Sequence, residues 1–265
     1  MVHRTQTFDA TTFVKVRCAT DGTQTFLAWK GSIYAWLPGE PKQHLFRIEG
    51  MSVGRCVKTE EGWEFASREL TFYLDPQTGE ILRRWKNPWT EEMVPVVHVA
   101  NNFVGGYFRR DVTAEVEGDR ATFMFDLFPT YPNPLASDPK FAEYSPQPMY
   151  QAAELFKLTV PLADLTNPDV TTVSELHLAW DRIGPWLPWM KMGDRPGHLV
   201  YSACGSKVPA FEGLSDVLRS EMETRVPLYK NAPTNVEQDD ITSWMYFQKH
   251  FDAYLAGATF PIAEQ

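Results

Sequence analysis

Apolar and polar positions alternate with period two through much of the chain. From residue 65 to 74, Ala66, Arg68, Leu70, Phe72 and Leu74 fall on one side, and Phe65, Ser67, Glu69, Thr71 and Tyr73 on the other. That spacing belongs to a strand buried on one face or both. The turn Asp75-Pro76-Gln77-Thr78-Gly79-Glu80 follows, with Pro and Gly placed for a tight reversal. Residues 81–85 are predicted to run back as the second arm of a hairpin. Further strands are predicted at 25–36, 44–57, 94–101, 107–116, 120–128, 155–160, 174–183 and 198–206. Short strands separated by Gly-marked turns point to an antiparallel β barrel of the calycin or lipocalin kind.

Helical signals are few. Residues 212–225 form one candidate and 239–256 a better one, where Ile241, Trp244, Met245, Phe247, Phe251 and Tyr254 recur at three- and four-residue steps. The stretches 128–148 and 184–196 are Pro-rich and aromatic, and read as long loops over a binding site. No linker, repeat or composition break divides the chain, so residues 1–265 are expected to form a single domain.

Composition narrows the functional classes. Aromatics make up 14% of the 265 residues, including 9 Trp, which suits a packed β core and equally a pocket for a flat ligand. The net charge of −9 disfavours nucleic acid and anionic membrane surfaces as partners. No apolar run reaches the ~20 residues that span a bilayer. The polar start, residues 1–7, leads us to expect a cytoplasmic protein. Three widely spaced cysteines, Cys18, Cys56 and Cys204, argue against a disulfide framework. The familiar nucleotide, flavin and hydrolase fingerprints are absent. None of the six histidines stands at HxH or HxxxH spacing, so neither a metal site nor a cofactor is expected. The expected partner is a small aromatic substrate, and a homo-oligomer stays open.

Polar groups embedded in apolar strands need a reason, because an unpaired buried charge is costly. Arg182 continues the face of Leu176, Leu178 and Trp180. A guanidinium there suits an oxyanion or phenolate at a cavity wall. The competing structural reading pairs it with a carboxylate such as Glu69. His98 shares a face with Val94, Val96 and Ala100, and Asp126 interrupts a Phe-rich strand. Either is a candidate acid or base, or else a satisfied core group. Tyr73, Tyr144 and Tyr201 are candidates for orienting a ligand or moving a proton.

Several motifs carry a resemblance. Ser67-Arg68-Glu69, the Tyr73–Ile81 turn, Trp85-Lys86-Asn87-Pro88-Trp89-Thr90 and Val97-His98-Val99-Ala100-Asn101 occur together. So do Trp180-Asp181-Arg182-Ile183-Gly184-Pro185-Trp186-Leu187-Pro188-Trp189-Met190-Lys191-Met192-Gly193 and the tail Thr242-Ser243-Trp244-Met245-Tyr246-Phe247. Together they resemble the bacterial and fungal family known as domain of unknown function 1838. Many members of that family are exported, and this chain departs from them in its polar start. The chain is also similar to a phenylcoumaran γ-formaldehyde lyase of lignin-dimer catabolism. That similarity implies a cofactor-independent enzyme that opens the phenylcoumaran ring, releases formaldehyde and leaves a stilbene.

Such chemistry needs a cation beside a phenolate, a base near a hydroxyl, and exclusion of water. Arg182 suits the first role and His98 or Asp126 the second. Tyr73 or Tyr201 suits protonation of the departing phenoxide. Trp180, Trp186 and Trp189 suit stacking on the rings, with Tyr144, Asn101 and Glu69 as further ligand contacts. Two other readings stand beside the lyase. One is a non-catalytic carrier of an apolar aromatic ligand. The other is an oxidoreductase or hydrolase assisted by a metal or cofactor.

Overall fold

The computed structural model describes residues 4–234 and 242–263. A single sheet of ten antiparallel strands dominates it. Its strands are β1 (Arg4–Phe8), β2 (Thr25–Trp36), β3 (Gln43–Thr59), β4 (Gly62–Leu74), β7 (Val99–Phe108), β8 (Val112–Glu117), β9 (Arg120–Leu127), β12 (Ala153–Pro161), β13 (His177–Gly184) and β14 (His198–Val208). The spatial order is β1-β8-β9-β12-β13-β14-β2-β3-β4-β7. Two ribbons stand apart, pairing β5 (Arg84–Lys86) with β6 (Met93–Pro95) and β10 (Thr130–Pro132) with β11 (Met149–Gln151).

The connectivity forces the sheet to curl. β7 forms one edge of the order and β8 lies one strand in from the other, yet only residues 109–111 join them. A chain of that length reaches at most about 15 Å, so the two ends of the sheet must meet there. The result is a half-barrel. Helix α1 (Ala10–Arg17) sits where the ends approach. Its Phe13 ring packs 5.3 Å from Phe108 of β7 and 5.1 Å from Phe125 of β9.

Curvature demands a close approach of backbones at Gly31. A Cβ there would lie 2.3 Å from the Ser202 carbonyl oxygen and 2.6 Å from Ala203 Cβ. Since backbone is the obstacle, no rotamer change relieves it. Gly31→Ala is expected to cost about 1–3 kcal/mol, read as a lower denaturation midpoint with an unchanged m-value.

Strand 25–36 is found as expected, and the strands expected at 44–57, 120–128, 155–160, 174–183 and 198–206 occur with shifted ends. The hairpin is corrected. The turn forms, with Asp75 and Glu80 hydrogen-bonded across it, but only Leu74 and Ile81 pair beyond it. The return arm leaves because Trp85 packs on Phe46 and Trp189, and β7 pairs with β4 instead. Segments 94–101 and 107–116 each split in two, at residues 96–98 and 109–111. The two short helices α1 and α2 (Leu162–Thr166) were not anticipated.

The first helix candidate is observed as α3 (Asp216–Thr224), capped by the Ser215 side chain. The second is divided into α4 (Ser243–Lys249) and α5 (Phe251–Leu255), and residues 239–241 of it lie outside the described residues. The bend at His250 lets Phe247 and Phe251 both pack on Tyr144, at 5.6 and 5.1 Å.

Candidate functional site

The concave face of the sheet encloses a cavity of about 900 Å³. Strand register decides what points into it. Leu127, Glu154, Arg182 and Tyr201 lie directly opposite one another across β9, β12, β13 and β14. One step along the same face come Phe125, Phe156 and Trp180. On the far wall Ser52, Glu69 and Asn101 align across β3, β4 and β7, and Thr71 and Tyr73 continue that face along β4. Most of the lining is aromatic or aliphatic, and the polar and charged side chains are set into that apolar surface.

The first polar centre is built on Arg182. Its Nη2 donates to the Tyr150 hydroxyl at 2.8 Å, and its Nε lies 3.5 Å from Glu154 Oε1. The guanidinium carbon sits 4.7 Å from the centre of the Tyr201 ring, within cation–π range. Glu154 also accepts from Trp180 Nε1 at 3.0 Å. Tyr131 stacks on Tyr150 at 4.6 Å, and Trp244 meets Tyr150 edge-on at 4.8 Å. Burial opposes the charge on Arg182, but Tyr201, Tyr150 and Glu154 outweigh it and hold its pKa above the ordinary value. Burial pushes the Tyr201 and Tyr73 hydroxyls upward, Arg182 only partly offsetting it, and pushes Tyr131 up to about 12. At neutral pH these phenols are therefore neutral donors around a permanent cation, an arrangement suited to an oxyanion brought by a ligand.

The second polar centre lies on the opposite wall. Asn101 Nδ2 donates to Glu69 Oε2 at 3.4 Å. Asn101 Oδ1 and Trp29 Nε1 are both buried with no hydrogen-bond partner among the described residues. Trp29 is seated there by Gly50, where a Cβ would lie 2.3 Å from Trp29 Nε1 and 2.6 Å from Thr71 Oγ1. Orphaned buried polar atoms are uncommon in native interiors and costly. Two of them beside Glu69, Thr71 and Ser52 mark this wall as a place for a polar group of a ligand.

Six of the residues expected from sequence line the cavity: Tyr73, Arg182, Tyr201, Trp180, Asn101 and Glu69. The partner of Arg182 is Glu154 and not Glu69. Five others do not line it. Asp126 is exposed, because its strand neighbours Phe125 and Leu127 face the cavity and alternation turns it outward. His98 is wholly buried behind Tyr73, stacked on that ring at 5.7 Å. Its Nδ1 accepts the Tyr73 backbone N–H at 3.1 Å. Burial, then the Arg83 charge, lower its pKa to about 3, so it is a neutral structural group that positions Tyr73. Tyr144 packs among Phe247, Phe251 and Tyr254.

Trp186 and Trp189 belong to a clamp. Trp189 packs on Trp85 at 5.9 Å and Trp186 on Trp89 at 5.3 Å. Asn87 Nδ2 donates to the Met190 carbonyl at 2.8 Å, and Lys191 pairs with Glu92 at 2.8 Å. The Trp-Lys-Asn-Pro-Trp and Trp-Leu-Pro-Trp-Met-Lys-Met-Gly motifs thus grip each other, and only Leu187 of the latter reaches the cavity.

Tyr150, Glu154, Tyr131, Trp29 and Trp244 complete the site but were not singled out. For Glu154 a signal existed: it continues the face of Phe156, Leu158 and Val160, as Arg182 continues its own. The others are ordinary aromatics until the fold brings them together.

Fold and site define a class: an antiparallel half-barrel around an aromatic cavity with one buried arginine. The chain belongs to the family described as "Protein of unknown function (DUF1838)", whose model matches residues 22–251. No curated protein matches it. Among the described residues no helix is long and apolar enough to cross a membrane, and no three His, Cys, Asp or Glu side chains gather as a metal-binding group.

Proposed function

We propose that this protein is a cofactor-independent lyase acting on a lignin-derived phenolic dimer of the phenylcoumaran type. The observation that carries the reading is the buried Arg182, set beside Tyr150 and Tyr201 in the same cavity as Glu69 and Asn101. The backbone separation of Tyr73 and Glu69 along β4 is about 14 Å at ~3.4 Å per residue. Phe125, Phe156 and Trp180 supply flat surfaces between the two polar centres.

In this reading Arg182 and Tyr150 hold the substrate's para-phenolate. Its electrons expel the ring oxygen, giving a quinone methide and a departing phenoxide. Tyr73 and Tyr201 receive that phenoxide as hydrogen-bond donors, their raised pKa values suiting donation better than full proton transfer. Glu69, held by Asn101, removes the proton of the γ-hydroxyl. The C–O bond becomes the carbonyl of formaldehyde as the carbon–carbon bond breaks. The electron pair passes into the quinone methide, restoring the phenolate and leaving a stilbene. The proton taken by Glu69 returns to the phenoxide, so the protein ends as it began. With His98 and Asp126 outside the cavity, Glu69 replaces them as base.

Purified protein incubated with a panel of phenylcoumaran dimers should release formaldehyde and stilbene in equal amounts, without added metal or cofactor. Glu69→Gln should lower kcat at least about 100-fold, the scale of general-base catalysis, with little change in dimer affinity. Binding of dimers with no product from any of them would favour the carrier reading instead. The apolar lining alone supports that second reading.

A further inference from the structure

The cavity has a charge balance opposite to that of the chain. The whole sequence carries −9. Among the described residues, the ionisable side chains on the cavity wall apart from tyrosines are four arginines, Arg17, Arg109, Arg110 and Arg182, and two glutamates, Glu69 and Glu154. The wall thus carries a surplus of two positive charges. Glu154 is engaged with Arg182. The other three arginines lie where α1 meets the β7–β8 turn.

That end is one continuous surface. Phe13 and Arg17 stand four residues apart on the same face of α1. Phe13 packs on Phe108, and Arg17 lies over Phe65, which in turn packs on Phe108. Arg109 and Arg110 follow Phe108 directly. Arg109 is paired with Glu61 at 2.9 Å and stacked over Tyr107. Among the described residues neither Arg17 nor Arg110 has a carboxylate within ion-pair reach, and the adjacent Asp111 does not line the cavity. A cation at the C-terminal end of α1 is favoured by the helix dipole, but the dipole does not account for Arg110 beside it.

We propose that this end of the cavity is an anion subsite, and that the ligand is an aromatic compound bearing a carboxylate held by Arg17 and Arg110, remote from Arg182. The proposal rests on the cavity being a ligand site, and does not need the lyase chemistry. Arg17 is half-buried and Arg110 exposed, so the pair forms a positive rim at the mouth of the apolar hollow, where its attraction for an anion is sensitive to salt.

The test uses trans-stilbene-4-carboxylate and its methyl ester as probes, titrated against the full chain by calorimetry. The acid should bind at least about tenfold tighter than the ester in low salt, with the gap shrinking as ionic strength rises. In the double variant Arg17→Gln/Arg110→Gln the two affinities should converge, while the ester binds as before, showing that the cavity is intact. Equal affinities in the unaltered protein would overturn the proposal. So would a preference that survives the double variant and disappears in Arg182→Gln, which would move the carboxylate to the other end. A carboxylate preference in a protein that turns over no dimer would keep the subsite and discard the lyase. Turnover without any preference would do the reverse.

Discussion

Arg182→Met is expected to abolish turnover and also to weaken the fold, and the two losses should separate. In the proposed reaction the buried guanidinium holds the substrate phenolate, so its removal would take away the charge that stabilises that oxyanion. Loss of one such contact typically costs about 10²–10³ in rate, and a full charge on a buried side chain belongs at the upper end. The same change strands Glu154, which among the described residues keeps only the Trp180 indole N–H as a donor. Breaking one partner of a buried pair costs about 3–5 kcal/mol, and the partial exposure of Glu154 puts the expectation near the lower figure.

Arg182→Met/Glu154→Gln should recover most of the stability, because no unpaired charge is left, and none of the activity. Denaturant unfolding and kcat/KM measured on both variants decide it. Full turnover by the double variant would show that the cation has no part in the reaction.

Acidification is expected to destabilise the protein well before ordinary carboxylates titrate. His98 is buried and neutral, with a folded-state pKa of about 3. In the unfolded chain its pKa is ~6.5. Between these values the unfolded state binds the extra proton, so stability is full above pH ~6.5 and falls as pH drops toward 3. At pH 5 the loss is about 2 kcal/mol, and by pH 3 it reaches about 4 kcal/mol. His98→Gln keeps an acceptor for the Tyr73 N–H and cannot be protonated there. Its stability should be nearly flat from pH 7 to 5, apart from a smaller slope from His250, which burial also lowers. Equal slopes for the variant and the parent would mean that His98 is not the group responsible.

The two candidate bases show why part of the site was legible and part was not. Arg182 was recoverable because a charge recurring on an apolar stripe is a strong local signal. Asp126 carried a similar signal and failed, since a single polar residue between Phe125 and Leu127 is what an outward position in an alternating strand looks like. His98 failed for another reason. It sits just before β7, where β4 has lost its strand partner, and it supplies the acceptor for the Tyr73 N–H. Only the pairing of β4 with β7 creates that need.

Helix α1 shows the same dependence on distant residues. Its Ala-Thr-Thr-Phe-Val-Lys-Val-Arg sequence is rich in β-branched residues and weak in helix propensity. Asp9 caps its start locally, accepting from Thr12 N at 2.6 Å. Its end is held by Lys207, whose Nζ donates to the carbonyls of Lys15, Val16 and Cys18 at 3.0, 3.3 and 2.9 Å. No local pattern announces a cap that lies some 190 residues away.

Alternation along the strands, the turns between them and the aromatic load were enough to establish an antiparallel sheet with a concave apolar face, because each is a property of neighbours in the chain. Which strands pair, and therefore that Arg182 meets Glu154 and Tyr150 while Glu69 meets Asn101, was settled only by the closure of the sheet. Closure is a long-range event, decided by backbone contact at glycines such as Gly31 and by a three-residue link between strands at opposite ends of the order.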